Sequence, residues 1–234
     1  MRHVSSAVLL SIVFASAALA QGPERDDRDY ADISKVNRSI RIENGGRAGD
    51  LETVNGSVQI GDDAIVGNAE TVNGSVRMGA NGQAESLETV NGSVQVGSRS
   101  VVSEGIETVN GSIVLADDAA SLDKIETVNG RIELGARAKA GAGIELVNGD
   151  VELRQAAQVT GDIVVRKPTG FGWFNSNSKP PRIVLGADSV VDGNLRFERE
   201  VELYMHTTAK FTGRQEGPLV GGKVHRFDGA APKF

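Results

Sequence analysis

The chain has 234 residues, a formal net charge of −6 and a composition that is 39% hydrophobic but only 4% aromatic, with 29 Gly, 6 Pro and no Cys. That length suits one or two ordinary domains, and the missing cysteine excludes disulfides, thiolate metal sites and a Cys nucleophile. The acidic balance argues against a nucleic-acid partner, which would want a basic face.

Met1-Arg2-His3 is a short basic start, Val4 to Leu19 is apolar, and Ala18-Leu19-Ala20 forms a small-x-small cleavage site before Gln21. This is the layout of a secretory signal peptide over 1–20. The apolar run, about 16 residues, is shorter than the ~20 that span a bilayer. The expectation is an exported protein, in the periplasm or at the cell surface, with no membrane span in the mature chain. Residues 21–32 are charged and read as an N-terminal lead-in.

A repeat follows. ETVNGSV begins at Glu52, Glu70 and Glu88, ETVNGSI at Glu107, ETVNGRI at Glu126 and ELVNGDV at Glu145, with a divergent copy, SKVNRSI, at Ser34. The steps are 18 residues, then 19. This period is too short for paired helices, ankyrin units or propeller blades, and Val beside Asn-Gly disfavours a helix. A finer period of six runs through Val54, Ile60, Val66, Val72, Met78, Ala84, Val90, Val96 and Val102. Three sixes per coil predict an all-β fold: a single-stranded β-helix, or β-solenoid, over 33–213. Its 18–19-residue coils would have about three short faces, each sending one aliphatic side chain inward. Between Tyr30 and Phe171 there is no aromatic residue, which suits a thin aliphatic core. Gly or Asn after many of the aliphatics (Asn55, Gly61, Gly67, Asn73, Gly79) is expected at corners needing positive φ or a small side chain. The 19-residue steps call for a bulge or a longer corner.

Stacking places equivalent residues about 4.8 Å apart. Val54, Val72, Val90, Val109, Val128 and Val147 are expected to form an inward row. Asn37, Asn55, Asn73, Asn91, Asn110, Asn129 and Asn148 are expected to form a structural ladder of side-chain amides. Five of these Asn also spell N-x-S, but glycans do not fit on neighbours so close. The Glu row from Glu52 to Glu145 either points to water or faces cations or a basic partner.

Residues 167–181 (KPTGFGWFNSNSKPP) interrupt the pattern as an irregular loop. Its Phe171, Trp173 and Phe174 either fold back over a coil edge or contact a partner. The strand rhythm resumes at Arg182. Phe197, Tyr204 and Phe211 are candidate plugs for the C-terminal end, which must be closed or polymerise. His206 is expected on an exposed strand position, and 214–234 as a loose tail.

The V-x-G-x-V corners resemble those of the bactofilins, bacterial polymer-forming cytoskeletal proteins. So do the phrases Val191-Asp192-Gly193-Asn194-Leu195 and Ala209-Lys210-Phe211-Thr212-Gly213. The repeated TVNGSV is similar to a bacterial adhesin family of β-strand-repeat proteins. The likeness covers roughly 33–213. The bactofilin resemblance implies a rod that self-associates end to end, with Phe211 where the family's terminal Phe caps the helix. Bactofilins are typically cytoplasmic and uninterrupted, whereas this chain carries a leader and a loop.

Six-residue solenoid repeats also occur in acyltransferases that rely on a His base near the coils. Here His3 lies in the leader, and His206 and His225 lie beyond the repeats. No zinc-protease, nucleophile-elbow or P-loop spacing is present. The expectation is therefore a protein with no catalytic residues, metal ligands or cofactor. It would be a structural or scaffold protein of the bacterial cell envelope that self-associates end to end. The alternative is an adhesin-like module binding polysaccharide, peptidoglycan or a protein through its repeated faces or aromatic loop.

Overall fold

The computed structural model describes residues 30–168 and 179–232. The expected leader, the lead-in before Tyr30, and Phe171, Trp173 and Phe174 lie outside the described residues. Within them the chain is a β-solenoid of about ten coils. At about 4.8 Å per coil this makes a rod roughly 48 Å long.

Each coil crosses three short faces. The first face carries strands such as Leu51–Asn55, Ala69–Asn73, Ile125–Asn129 and Ile144–Asn148. The second is a ten-stranded sheet that begins at Ile40–Ile42 and Val58–Ile60 and ends at Leu219–Phe227. The third is narrowest, with two- or three-residue strands such as Ala120–Ser121 and Gln158–Thr160. Strands Gln83–Asn91 and Val101–Asn110 run from the third face onto the first and join the two into one sheet. All pairings between successive coils are parallel. On the first face Glu52 stands under Glu70, then Glu88, Glu107, Glu126 and Glu145.

Local chemistry explains these strands. β-Branched and aliphatic residues alternate with polar ones at period two, which buries one row of each strand and leaves the other outside. The buried rows are Leu51, Ala69, Leu87, Ile106, Ile125 and Ile144 on the first face, and pairs such as Val58 with Ile60 or Ile132 with Leu134 on the second. Each fully buried Leu or Ile contributes about 1.5–3 kcal/mol before chain entropy is counted.

The first face departs from the sequence expectation. Val54, Val72 and Val90 do not point into the core. They are half-exposed on the outer surface, while Thr53, Thr71 and Thr89 are buried. Side chains alternate strictly along a strand, so a buried Leu51 forces Thr53 inward and Val54 outward. Each Thr is satisfied there by donating its hydroxyl to a backbone carbonyl of the preceding coil's corner. Thr71 bonds Gly56 at 2.8 Å, Thr89 bonds Gly74 at 2.8 Å and Thr108 bonds Gly92 at 3.1 Å.

At the expected corners the need is for a small side chain: a Cβ on Gly61, Gly67 or Gly79 would run into the coil below. Positive φ falls not on Asn55, Gly61, Gly67, Asn73 or Gly79 but on the corner entering the third face. There Asp63, Asn81, Arg99, Asp118, Arg137, Ala156 and Asp188 have φ between 55° and 61°. The Asn-Gly corner needs glycine for closeness instead. A Cβ on Gly74, Gly92 or Gly111 would overlap the carbonyl oxygen of the glycine one coil below.

The extra residue of the later coils enters as a bulge. Ala84 pairs with Val102 and Ser86 with Gly105, so Ser103 and Glu104 oppose Glu85 alone. The segment expected to be a loose tail instead continues the coil: Gln215–Glu216 pairs with Leu195–Phe197, and Leu219–Phe227 with Val201–His206. Of the candidate end plugs, Phe197 is buried in the core and Phe211 is partly buried against it in the last strand of the third face. Tyr204 is no plug. It points outward and stacks on His225 with ring centroids 4.8 Å apart. His206, expected to be exposed, is buried. Its Nδ1 lies 2.9 Å from the Thr208 hydroxyl, and its ring meets Phe227 edge-on.

Candidate functional site

The repeat phrase places one side chain of each type at the same point on every coil, so the outer surface of the first face is a set of parallel rows. Going outward from the core, Thr and Leu are hidden, Glu and Val project to solvent, and Asn occupies the rim. A shallow groove in this flank is lined by Glu107, Val109, Val128, Glu145 and Val147.

The Asn row is continuously bonded. Nδ2 of Asn55 donates to Oδ1 of Asn37 at 2.9 Å, Asn73 to Asn55 at 2.9 Å, and Asn91 to Asn73 at 3.0 Å. Asn110, Asn129 and Asn148 extend the series at 3.0 Å each. Every amide is oriented alike, carbonyl toward the C-terminal end, so the dipoles add along the rod. The exposed carbonyl of the last rung, Asn148, accepts from Nη1 of Arg199 at 2.7 Å, which sets a cation at the negative end of the series. Beside this row, the backbone N–H groups of Ser57, Ser75 and Ser93 donate to the serine hydroxyl one coil below.

The Glu row is electrostatically uneven. At its C-terminal end Arg166 clasps Glu145 through Nε at 2.7 Å and Nη2 at 3.1 Å and reaches Glu198 through Nη1 at 2.9 Å. Lys124 lies 3.0 Å from Glu126. Among the described residues no ion pair serves Glu52, Glu70, Glu88 or Glu107. Partial burial against the sheet, then the like charge of Glu52, raises the Glu70 carboxyl above the ordinary range. Burial followed by repulsion from Glu70 and Glu107 pushes Glu88 up to about 7. Burial and Glu126 also raise Glu107. The flank is thus an aliphatic strip bordered by carboxylates, of which Glu70, Glu88 and Glu107 hold their charge reluctantly.

Among the described residues no group of three or more His, Asp or Glu converges as a metal site, and no helix is long and apolar enough to cross a membrane. At a corner, Asp118 receives both Nε and Nη2 of Arg137 at 2.7 Å, which lowers its pKa. The sequence had not singled out Arg166, Arg199 or Lys124. Arg166 and Arg199 lie outside the repeat phrase and reach it only through the stacking of coils, whereas Lys124 stands two residues before Glu126 in the same coil. No protein-family model, curated protein or solved structure matches the chain.

Proposed function

We propose that the protein is a non-enzymatic, exported scaffold rod of the bacterial cell envelope that works through its flank. The observation supporting this is the repetition of one surface chemistry, Glu, Val and Asn, on six consecutive coils held in register by six amide–amide hydrogen bonds. Such a surface suits an extended, repetitive partner. Export rests on the leader-like residues 1–20.

The two ends bear on self-association. Among the described residues the N-terminal edge, Ile33–Lys35 and Ile40–Ile42, is a parallel edge with no further strand on it. The C-terminal edge is blunted in the ways that discourage strand addition. Strand Leu219–Phe227 is out of step with its neighbour between Val201 and Leu203. It carries Gly221 and Gly222 at positive φ, and it displays Lys223, His225 and Arg226. This asymmetry favours a rod of single-chain length over an open-ended polymer. Sedimentation of the mature protein should then show one species across a wide concentration range. Concentration-dependent filaments that vanish on Phe211→Asp would move the function to the ends.

The half-exposed Val row favours a second reading, an adhesin-like module that binds polysaccharide, peptidoglycan or a protein through the same flank. Co-sedimentation with purified cell-wall material that is lost on Val90→Lys, with the fold retained, would select it.

A further inference from the structure

The chain contains eight Asn–Gly pairs, six in the ladder from Asn55 to Asn148 and two at other corners, beginning at Asn44 and Asn81. Such a pair carries its own chemistry. The glycine backbone nitrogen can add to Cγ of the asparagine side chain and form a five-membered succinimide. The Cγ–Nδ2 bond then breaks, and ammonia leaves with the proton given up by the glycine nitrogen. Water opens the ring to aspartate or isoaspartate, and no electrons are exchanged. The reaction needs a glycine N–H that is free to lose its proton and an amide carbon that accepts the nucleophile.

In seven pairs the fold withholds the nucleophile. The N–H of Gly56, Gly74 and Gly92 donates to the backbone carbonyl of the Asn one coil on at 3.1–3.2 Å, and that of Gly111 and Gly130 does so at 2.9 Å. At the other corners Gly45 donates to the Asp62 carbonyl at 2.7 Å and Gly82 to the Ser100 hydroxyl at 2.9 Å. Gly149 is the exception. Its N–H donates to no acceptor among the described residues, the first-face strand of the next coil ending at Val165. Its φ of 136° also sets it apart from the other ladder glycines. The electrophile at this pair is activated. The Asn148 amide oxygen takes a charge-assisted hydrogen bond from Arg199 at 2.7 Å, which draws electron density from Cγ and would stabilise the negative charge that builds on that oxygen as the nitrogen adds.

We propose that Asn148–Gly149 is a site of spontaneous modification, an intramolecular deamidation with water as the only co-reactant, and that stacking guards the remaining seven pairs. Conversion replaces the Nδ2 donor of Asn148 with a carboxylate facing Oδ1 of Asn129, so the last rung is lost where the repeats meet the C-terminal coils.

The test is a time course of the full mature chain in mildly alkaline buffer, read by peptide mapping with isoaspartate detection. A parallel sample in urea gives the unguarded rate of every pair. Native protein is expected to convert at Asn148 more than an order of magnitude faster than at any other Asn–Gly pair, while in urea all eight react within a few-fold of one another. Arg199→Ala, with an unchanged circular dichroism spectrum, should slow conversion at Asn148 several-fold. Native Asn148 reacting no faster than Asn129, or staying silent while the urea sample reacts, would overturn the proposal. Faster conversion in Arg199→Ala would do the same, because it would make the guanidinium a clamp and not an activator.

Discussion

Thr and Val exchange the roles that hydropathy assigns them. In the phrase Leu-Glu-Thr-Val-Asn the more apolar Val lies outside and the Thr inside, because Leu51 fixes the parity and the Thr hydroxyl finds a corner carbonyl below it, that of Arg38 for Thr53 and of Gly56 for Thr71. The six-residue period was legible in the sequence, but its phase on this face was not. Counting aliphatics cannot see a hydrogen bond to a neighbouring coil, whereas the Leu, Ala or Ile two places before each Thr carried the parity. The Asn row was legible because identical side chains stacked at strand spacing have one obvious way to bond. Its partner Arg199, 51 residues beyond Asn148, was not. Asn91→Asp tests the row directly. The new carboxylate would replace the Nδ2 that donates to Asn73 and face an acceptor instead. Charging is disfavoured in the folded state, so the folded pKa of the new group rises above the unfolded value of about 3.9. The penalty is absent below that unfolded value and grows as pH rises through the folded pKa. Urea midpoints should show a loss of about 1–3 kcal/mol at neutral pH that disappears in acid. Glu88 has the same sign. Its folded pKa of about 7 lies above the unfolded value, so stability is full in acid and falls as pH rises through about 7. Glu88→Gln should flatten that decline, gaining roughly 1 kcal/mol above neutrality after allowance for solvent screening, and should change little near pH 4.

At the scale of the coil, the change from 18 to 19 residues is confined to one corner. The phrase that builds the first face keeps its length throughout, and the additional residue sits between Val102 and Gly105, where Ser103 and Glu104 are exposed. The sequence announced the step but not which corner absorbs it, because none of the residues there is a Pro and the flanking repeats are equally regular. A bulge at an exposed corner leaves both inward rows in place, whereas a one-residue slip within a strand turns every side chain over. Deleting Glu104 is therefore expected to restore the 18-residue geometry of the coils before it, at a cost under about 1 kcal/mol. Deleting Glu107 would bring Ile106 beside Thr108 and force one of them out of the core. Denaturant melts of the two deletions should differ by several kcal/mol. Equal midpoints would show that the corners, and not the strands, hold the register.

For the whole rod, nearly every long-range bond joins a residue to its counterpart one coil away. Stability is then close to a sum of coil terms and nearest-neighbour terms. A central coil has two neighbours and a terminal one has a single neighbour. The exposures follow this division. Leu87, Ile106 and Ile125 are fully buried in the middle, Val36 in the first coil is 62% exposed, and the last strand, Leu219–Phe227, is mostly exposed. Hydrogen exchange should accordingly show greatest protection over the coils between Leu87 and Leu153, declining toward both ends, instead of one value shared by all slowly exchanging amides. Glycine substitutions at matched corners sharpen the test. Gly56→Ala and Gly92→Ala each drive a Cβ into a backbone carbonyl, of Arg38 and Gly74 respectively. The first strains only the junction with the terminal coil, so protection should fall before Asn55 and persist beyond it. The second strains a central junction and should open amides on both sides, leaving two shorter arrays that each fray from a new end. Identical, global loss of protection in both variants would mean that the coils unfold as a single cooperative unit, and the nearest-neighbour description would have to be given up.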